Sequence, residues 1–224
     1  MKYFIHFVAV FTFCFSLSVA EAQNKVVVVP LGGKKGNPAP LAKTGQTLCY
    51  DPACTVSPCD PVACAGTGED GELQTGVTAS PRFTDNGDGT VTDRLTGLIW
   101  LQEGNCITFF GGDTTGQNPR TWGPALEAAN KLASGYCGLT DGSVAGDWRL
   151  PNIRELQSLL DYSQFDPALP PGHPFLNAVS SYYWSSTTGV AETYRAWQVD
   201  FYDGYNTVYY KWDSAYVRAV RGGQ

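Results

Sequence analysis

Apolar residues at Trp122, Ala125, Leu126, Ala129 and Leu132 recur three and four positions apart, the spacing of one buried helix face. They predict a helix over 122–133, with Thr121 as its N-cap. The same spacing returns in Ile153, Leu156, Leu159 and Leu160, behind an Asn152/Glu155 pair placed as in a capping box, which predicts a second helix starting at 152. Elsewhere the period is two. Between Phe83 and Trp100, Asn86-Gly87 and Asp88-Gly89 tolerate positive φ and separate β-branched residues, so this stretch reads as strand, turn, strand, turn, strand. Four further strands are predicted over 182–187, 196–202, 207–212 and 216–220, with Asp203-Gly204 at a turn. Alternation along 196–202 sets Trp197, Val199 and Phe201 on one face, expected to be buried along with Trp184. Gln198, Asp200 and Tyr202 fall on the other, expected to be a recognition surface.

The start of the chain follows neither period. Lys2 precedes an apolar run from Phe4 to Ala20, and Ala20-Glu21-Ala22 has the small-x-small form of a cleavage site. Residues 1–22 therefore read as an export signal, with the mature chain beginning at Gln23. The run is about 17 residues long and includes His6, short for a membrane span. No span is expected in the mature chain. Residues 23–47, with the valines 26–29 and Lys34, Lys35 and Lys43, read as a linker or leading strand. Residues 48–80 form a Cys/Gly-rich loop region, and 81–224 the domain proper.

Export changes the reading of cysteine. Without Cys14, six remain: Cys49, Cys54, Cys59, Cys64, Cys106 and Cys137. An even number in an oxidising compartment predicts disulfides. The first four, spaced C-x4-C three times, are expected to form two local bridges in a Pro-rich loop, with all three connectivities open; a four-thiolate zinc site is the alternative. Cys106 and Cys137 are expected to pair around a helix.

A formal charge of −6 argues against a nucleic-acid partner. Composition shifts most sharply near the C-terminus, where residues 182–216 hold eight tyrosines, three tryptophans and Phe201. Of these and their neighbours, Tyr202, Asp203, Tyr205, Asn206, Tyr209, Lys211 and Trp212 are the candidate ligand-contacting residues, because such rings supply large, rigid, amphipathic contacts. Asp85, Asp88 and Asp93 resemble a short calcium loop without its bidentate Glu, so turn chemistry is the preferred reading and no cofactor is expected.

Four ordered segments carry a family resemblance: F-T-D-N-G-D-G-T-V-T-D-R-L-T-G-L-I-W from Phe83, D-W-R-L-P-N-I-R-E-L-Q-S-L-L-D-Y from Asp147, Y-Y-W-S-S-T-T from Tyr182, and Y-V-R-A-V-R-G-G from Tyr216. Together they resemble the Lcl C-terminal domain family, named from a collagen-like bacterial surface adhesin, over residues 81–223. The resemblance implies an α+β domain of the C-type-lectin and formylglycine-generating fold group: a twisted antiparallel sheet, two helices and long loops, here behind a disulfide-stapled N-terminal extension. In that group R-L-P opens a helix and the last strand pairs back near the first.

The function this implies is a secreted or surface-displayed binding module. That adhesin attaches to sulfated polysaccharides, but from Pro81 onward ten Lys or Arg face fifteen Asp or Glu, so a neutral glycan or a protein is the expected partner. An assembly domain is the second reading; with no Gly-x-y or heptad repeat, a homo-oligomer would form through the domain itself. A retroelement-diversified binding protein is a third, from the composition of residues 196–224. An enzyme is the least favoured. No cysteine follows Cys137 for formylglycine-type chemistry, His173 is the one mature histidine, and Asp200 and Asp203 sit beside a turn as solvated acids do.

Overall fold

A computed structural model of the chain describes residues 41–55, 59–110 and 119–222. The export signal at 1–22 and the valine run at 26–29 lie outside the described residues. The first four cysteines pair in a nest, Cys49 with Cys64 and Cys54 with Cys59. The outer bridge spans a ribbon of β1 (Cys49–Tyr50) and β2 (Pro61–Val62). All four sulfurs are consumed, so none is left as a thiolate for zinc. A single helical turn, α1 (Asp70–Leu73), packs on this ribbon through Gly71, where a Cβ would stand 2.2 Å from the Leu48 carbonyl oxygen. The extension is also tied down ahead of the ribbon, where Tyr162 N donates to Thr44 O at 2.7 Å.

The turn residues then act as expected. β3 (Phe83–Asp85), β4 (Thr90–Asp93) and β5 (Ile99–Leu101) form an antiparallel meander. Gly87 and Gly89 hold φ of 75° and 84° at its first turn, a region open to glycine without strain. After α2 (Ile107–Phe110) and β6 (Arg120–Thr121), α3 (Trp122–Lys131) covers the core with Ala125 and Ala129, and Leu132 follows it inward. Pro124 is tolerated because the first turn of a helix needs no internal N–H bond. Thr121 stands at the N-cap, yet its side chain makes no cap hydrogen bond, contrary to expectation. Its backbone is instead engaged in a two-strand pairing with Ser214. The third disulfide, Cys106–Cys137, closes the loop carrying α2 and α3.

The R-L-P segment works as a clasp. Asn152 caps α4 (Ile153–Gln157) by accepting from Glu155 N at 3.0 Å, and Glu155 Oε2 accepts from Asn152 N at 2.8 Å. Arg149 donates to both Glu155 oxygens at 2.7 Å, a fork-to-fork geometry, and this hydrogen bonding raises its pKa above the ordinary arginine value. The Arg149 backbone exchanges two hydrogen bonds with Val220, the first residue of the last strand. Two separate motifs thereby hold each other. Asn152→Ala is expected to lower stability by about 1 kcal/mol, read as a shifted urea midpoint at unchanged m-value; an unshifted midpoint would show the cap to be idle.

A second sheet is formed by β7 (Tyr182–Thr188), β8 (Arg195–Asp200) and β9 (Asn206–Tyr210), all antiparallel in the order 7-8-9. The strand expected over 216–220 is not formed as one: Tyr216 makes an isolated bridge to Tyr183 and only Val220 enters a strand, β11 (Val220–Arg221), which pairs with β5 at the edge of the first sheet, while the short β10 (Ser214–Ala215) ahead of it pairs with β6. The domain is thus α+β and mostly sheet. No helix among the described residues is long and apolar enough to cross a membrane.

The core has two clusters, and the second sheet lies between them. Trp184 and Ala196 pack with Leu101, Ala129 and Trp148 in one, while Tyr183, Val199 and Phe201 pack with Trp100, Leu156 and Val220 in the other. Strands covered on both faces lose simple alternation. This corrects the expected faces of β8: Gln198, placed outward by the sequence pattern, is 2% exposed, and Trp197, expected inside, is only half-buried. Arg218 of the last motif is fully buried under Phe175, Tyr183 and Phe201, its guanidinium carbon 4.7, 5.4 and 5.6 Å from their centroids. Burial pushes its pKa down, opposed by Tyr183 and Glu103.

Candidate ligand-binding surface on the C-terminal sheet

The seven candidate residues are distributed over four places on and around the second sheet, the groove, the stack, the β8–β9 turn and the neighbourhood of Trp122. Tyr205 and Tyr209 share a face with Tyr182, Gln198 and Thr207. With Ser214 these line a groove of about 290 Å³. Tyr182, Tyr205 and Tyr209 are exposed. Partial burial, then the neighbouring Asp200 carboxylate, raises the Tyr182 pKa, so its phenol stays protonated.

Trp212 belongs to a different patch. Its ring stacks on Tyr210 at 4.6 Å and on Tyr194 at 6.1 Å, and Tyr194 stacks on Tyr210 at 5.9 Å, all within 15° of parallel. Charged neighbours lock the stack. Arg195 lies over Tyr210 at 4.4 Å, donates to its hydroxyl at 2.9 Å, and pairs with Glu192 at 2.7 Å; Tyr194 in turn donates to Glu192 at 2.7 Å. Hydrogen bonding to Tyr210 raises the Arg195 pKa, and hydrogen bonding to Glu192 raises that of Tyr194. Trp212 remains 62% exposed, so a flat ring is presented in a fixed orientation.

The other candidates have structural tasks. Tyr202 packs edge-on against Phe165, and Asp203 accepts from Tyr205 N at 2.9 Å, closing the turn between β8 and β9. Asn206 donates to Gly204 O at 3.1 Å within the same turn. Lys211 is half-buried, with its Nζ 4.0 Å from the Trp122 centroid and donating to Thr188 at 3.0 Å. Tyr182, Tyr194 and Tyr210 were missed as candidates, and Gln198 was placed on the expected recognition face without being singled out. The cross-strand register that puts Arg195 opposite Tyr210, and Gln198 opposite Thr207, is what assembles them.

Asp85, Asp88 and Asp93 do not converge. Asp85 accepts from Gly87 N and Gln102 Nε2, Asp88 from both N and Oγ1 of Thr90, and the buried Asp93 pairs with Arg82. Asp85 borders a cleft of about 990 Å³, together with Glu103, Asn105, Asn177 and the Cys106–Cys137 bridge. Glu103 is already bonded there to Asn105 N and Asn177 Nδ2, at 3.0 and 2.9 Å. Among the described residues, no group of three or more His, Cys, Asp or Glu is arranged to hold a metal ion.

Residues 89–221 match the family model described as the Lcl C-terminal domain. The folded unit begins earlier than that match, since β3 pairs with β4 along its whole length. A search of curated proteins gave no match.

Proposed function

Since the chain belongs to the Lcl C-terminal domain family, we propose that it is an exported bacterial binding module, adhesin-like and non-enzymatic, whose aromatic C-terminal sheet contacts a neutral glycan or a protein on another surface. The observation that carries this reading is the locked stack of Tyr194, Tyr210 and Trp212, left open to solvent on a rigid sheet. Exposed aromatic rings held by their own hydrogen bonds lose little entropy on binding, which is why such residues dominate contact energies. Three disulfides and the leader at 1–22 support export, and the α+β build suits a C-type-lectin-like framework. The non-enzymatic reading takes the six cysteines of the described residues, all bridged, as unable to act as thiol nucleophiles.

The test is a glycan array and a surface-protein overlay with the mature chain, at fixed salt, with and without EDTA. Trp212→Ala is expected to weaken the captured ligand at least tenfold, equal to a loss of about 1.4 kcal/mol, a common hot-spot cost. Binding is expected to persist in EDTA. Unchanged affinity in the Trp212 variant would refute the platform. Self-association is a second reading, favoured by the edge position of β9, where Asn206 and Val208 direct N–H and C=O away from β8. Light scattering at micromolar concentration checks it, and a monomer mass would remove it.

A further inference from the structure

We propose that the groove floored by Gln198 is a binding site for a single neutral pyranose ring, whose vicinal hydroxyls pair with the Gln198 amide while its apolar face lies against the tyrosine walls. This rests on reading the C-terminal sheet as a ligand-contacting surface, and it adds a second, chemically distinct site to the Trp212 stack.

The floor carries the argument. Gln198 is 2% exposed at the middle of the central strand, and it is a polar side chain that lines the groove. Buried polar side chains are nearly always paired, and a primary amide brings two donors and two acceptor lone pairs to be satisfied. The groove that Gln198 lines is where a ligand would meet that amide. A donor and an acceptor side by side match two adjacent hydroxyls of a sugar, each of which both gives and takes a hydrogen bond.

The walls add shape and charge. Tyr182, Tyr205 and Tyr209 line the groove with Gln198, together with Thr207 and Ser214. Tyr209 lies opposite the small Ala196 in the register. Among the described residues no cationic side chain lines the groove, and the acids that bear on Tyr182 are Asp200 and Asp203. A sulfated or uronic ring would meet negative potential here, whereas an uncharged one meets only hydrogen-bonding groups and ring faces.

The experiment titrates the mature chain with methyl glycosides of glucose, galactose, mannose and N-acetylglucosamine, and with methyl glucuronide. Binding is read by saturation-transfer NMR and by the side-chain amide resonance of Gln198. At least one neutral glycoside is expected to bind and shift that resonance, with methyl glucuronide at least tenfold weaker. Gln198→Met, which keeps length and burial, is expected to abolish the transfer signal. Thr207→Val, on the half-exposed edge strand, guards against a Gln198 variant that fails to fold, and is expected to weaken binding at least threefold. Absence of any neutral-glycoside signal, undiminished binding in both variants, or equal binding of the glucuronide would overturn the site. Those outcomes would leave the Trp212 platform standing. Loss of the platform test with the Gln198 resonance still shifting would overturn the platform alone.

Discussion

Replacing Asp93 with alanine is expected to cost about 3–5 kcal/mol of folding stability, the largest single-residue effect foreseen outside the apolar core. Its carboxylate is wholly buried and has four partners: Arg82 Nε at 3.3 Å and Nη2 at 3.1 Å, Leu95 N at 2.9 Å and Thr96 Oγ1 at 3.0 Å. Arg82 is itself largely buried and reaches on to Ser158 O at the end of α4. Removing the acid therefore leaves a buried guanidinium without its counter-charge, and frees the β4–β5 turn from the group that organises it. Salt should not reproduce the effect, because buried pairs are screened far less than surface ones. Asp85→Ala is the control, since its carboxylate is exposed and serves only a turn and Gln102; a loss below about 1 kcal/mol is expected there. Urea unfolding of both variants, with the Arg82→Met/Asp93→Ala double mutant, checks the claim. If Asp93→Ala costs under 1 kcal/mol, or if the double mutant is no better than the sum of its singles, the buried pair does not organise this turn.

Opening the Cys106–Cys137 bridge is expected to cost nearly as much, about 4 kcal/mol, by releasing a 31-residue loop in the unfolded chain. That loop carries α2 and α3, and Cys106 itself lies in the core beside Phe110, Ala125 and Ala129. The inner bridge of the extension, Cys54–Cys59, spans five residues and is expected to contribute about 2 kcal/mol on the same entropic account. Paired Cys→Ala variants at each site, unfolded without reductant, give the two numbers. A larger loss at the short loop than at the long one would contradict the chain-entropy explanation and point to native-state packing instead. The double Cys106/Cys137 variant is also expected to unfold α3 first, seen as early loss of amide protection over Ala125–Lys131.

Much of the local structure was legible because its causes are local. The Asn152/Glu155 pair marks a helix start by spacing alone, and the structure adds only that Arg149 grips Glu155 from outside. The Asn86-Gly87 and Asp88-Gly89 turns were visible because positive φ is open mainly to such residues. The candidate surface was legible only in composition. Of the seven residues singled out, Tyr205 and Tyr209 line the groove and Trp212 caps the stack, whereas Asn206, Asp203 and Lys211 are spent on the turn and on Trp122. Gln198 is the instructive case. Its period-two position placed it on the recognition face, and it does face the groove, but from a depth that no window of sequence indicates.

The sequence by itself determined the turns, the Asn152 helix cap, the strand-rich C-terminus, the even cysteine set and family membership, since each depends on residues within a few positions of one another or on motifs in fixed order. Tertiary structure alone decided three things. It selected the nested pairing of Cys49 with Cys64 and Cys54 with Cys59, out of three that spacing left equal. It buried both faces of the second sheet near β7, because two core clusters flank it, and so inverted the exposure of Trp197 and Gln198. It also divided one aromatic-rich stretch into a locked stack and a separate groove, because cross-strand register, unlike alternation along a strand, is fixed by partners far away in the chain.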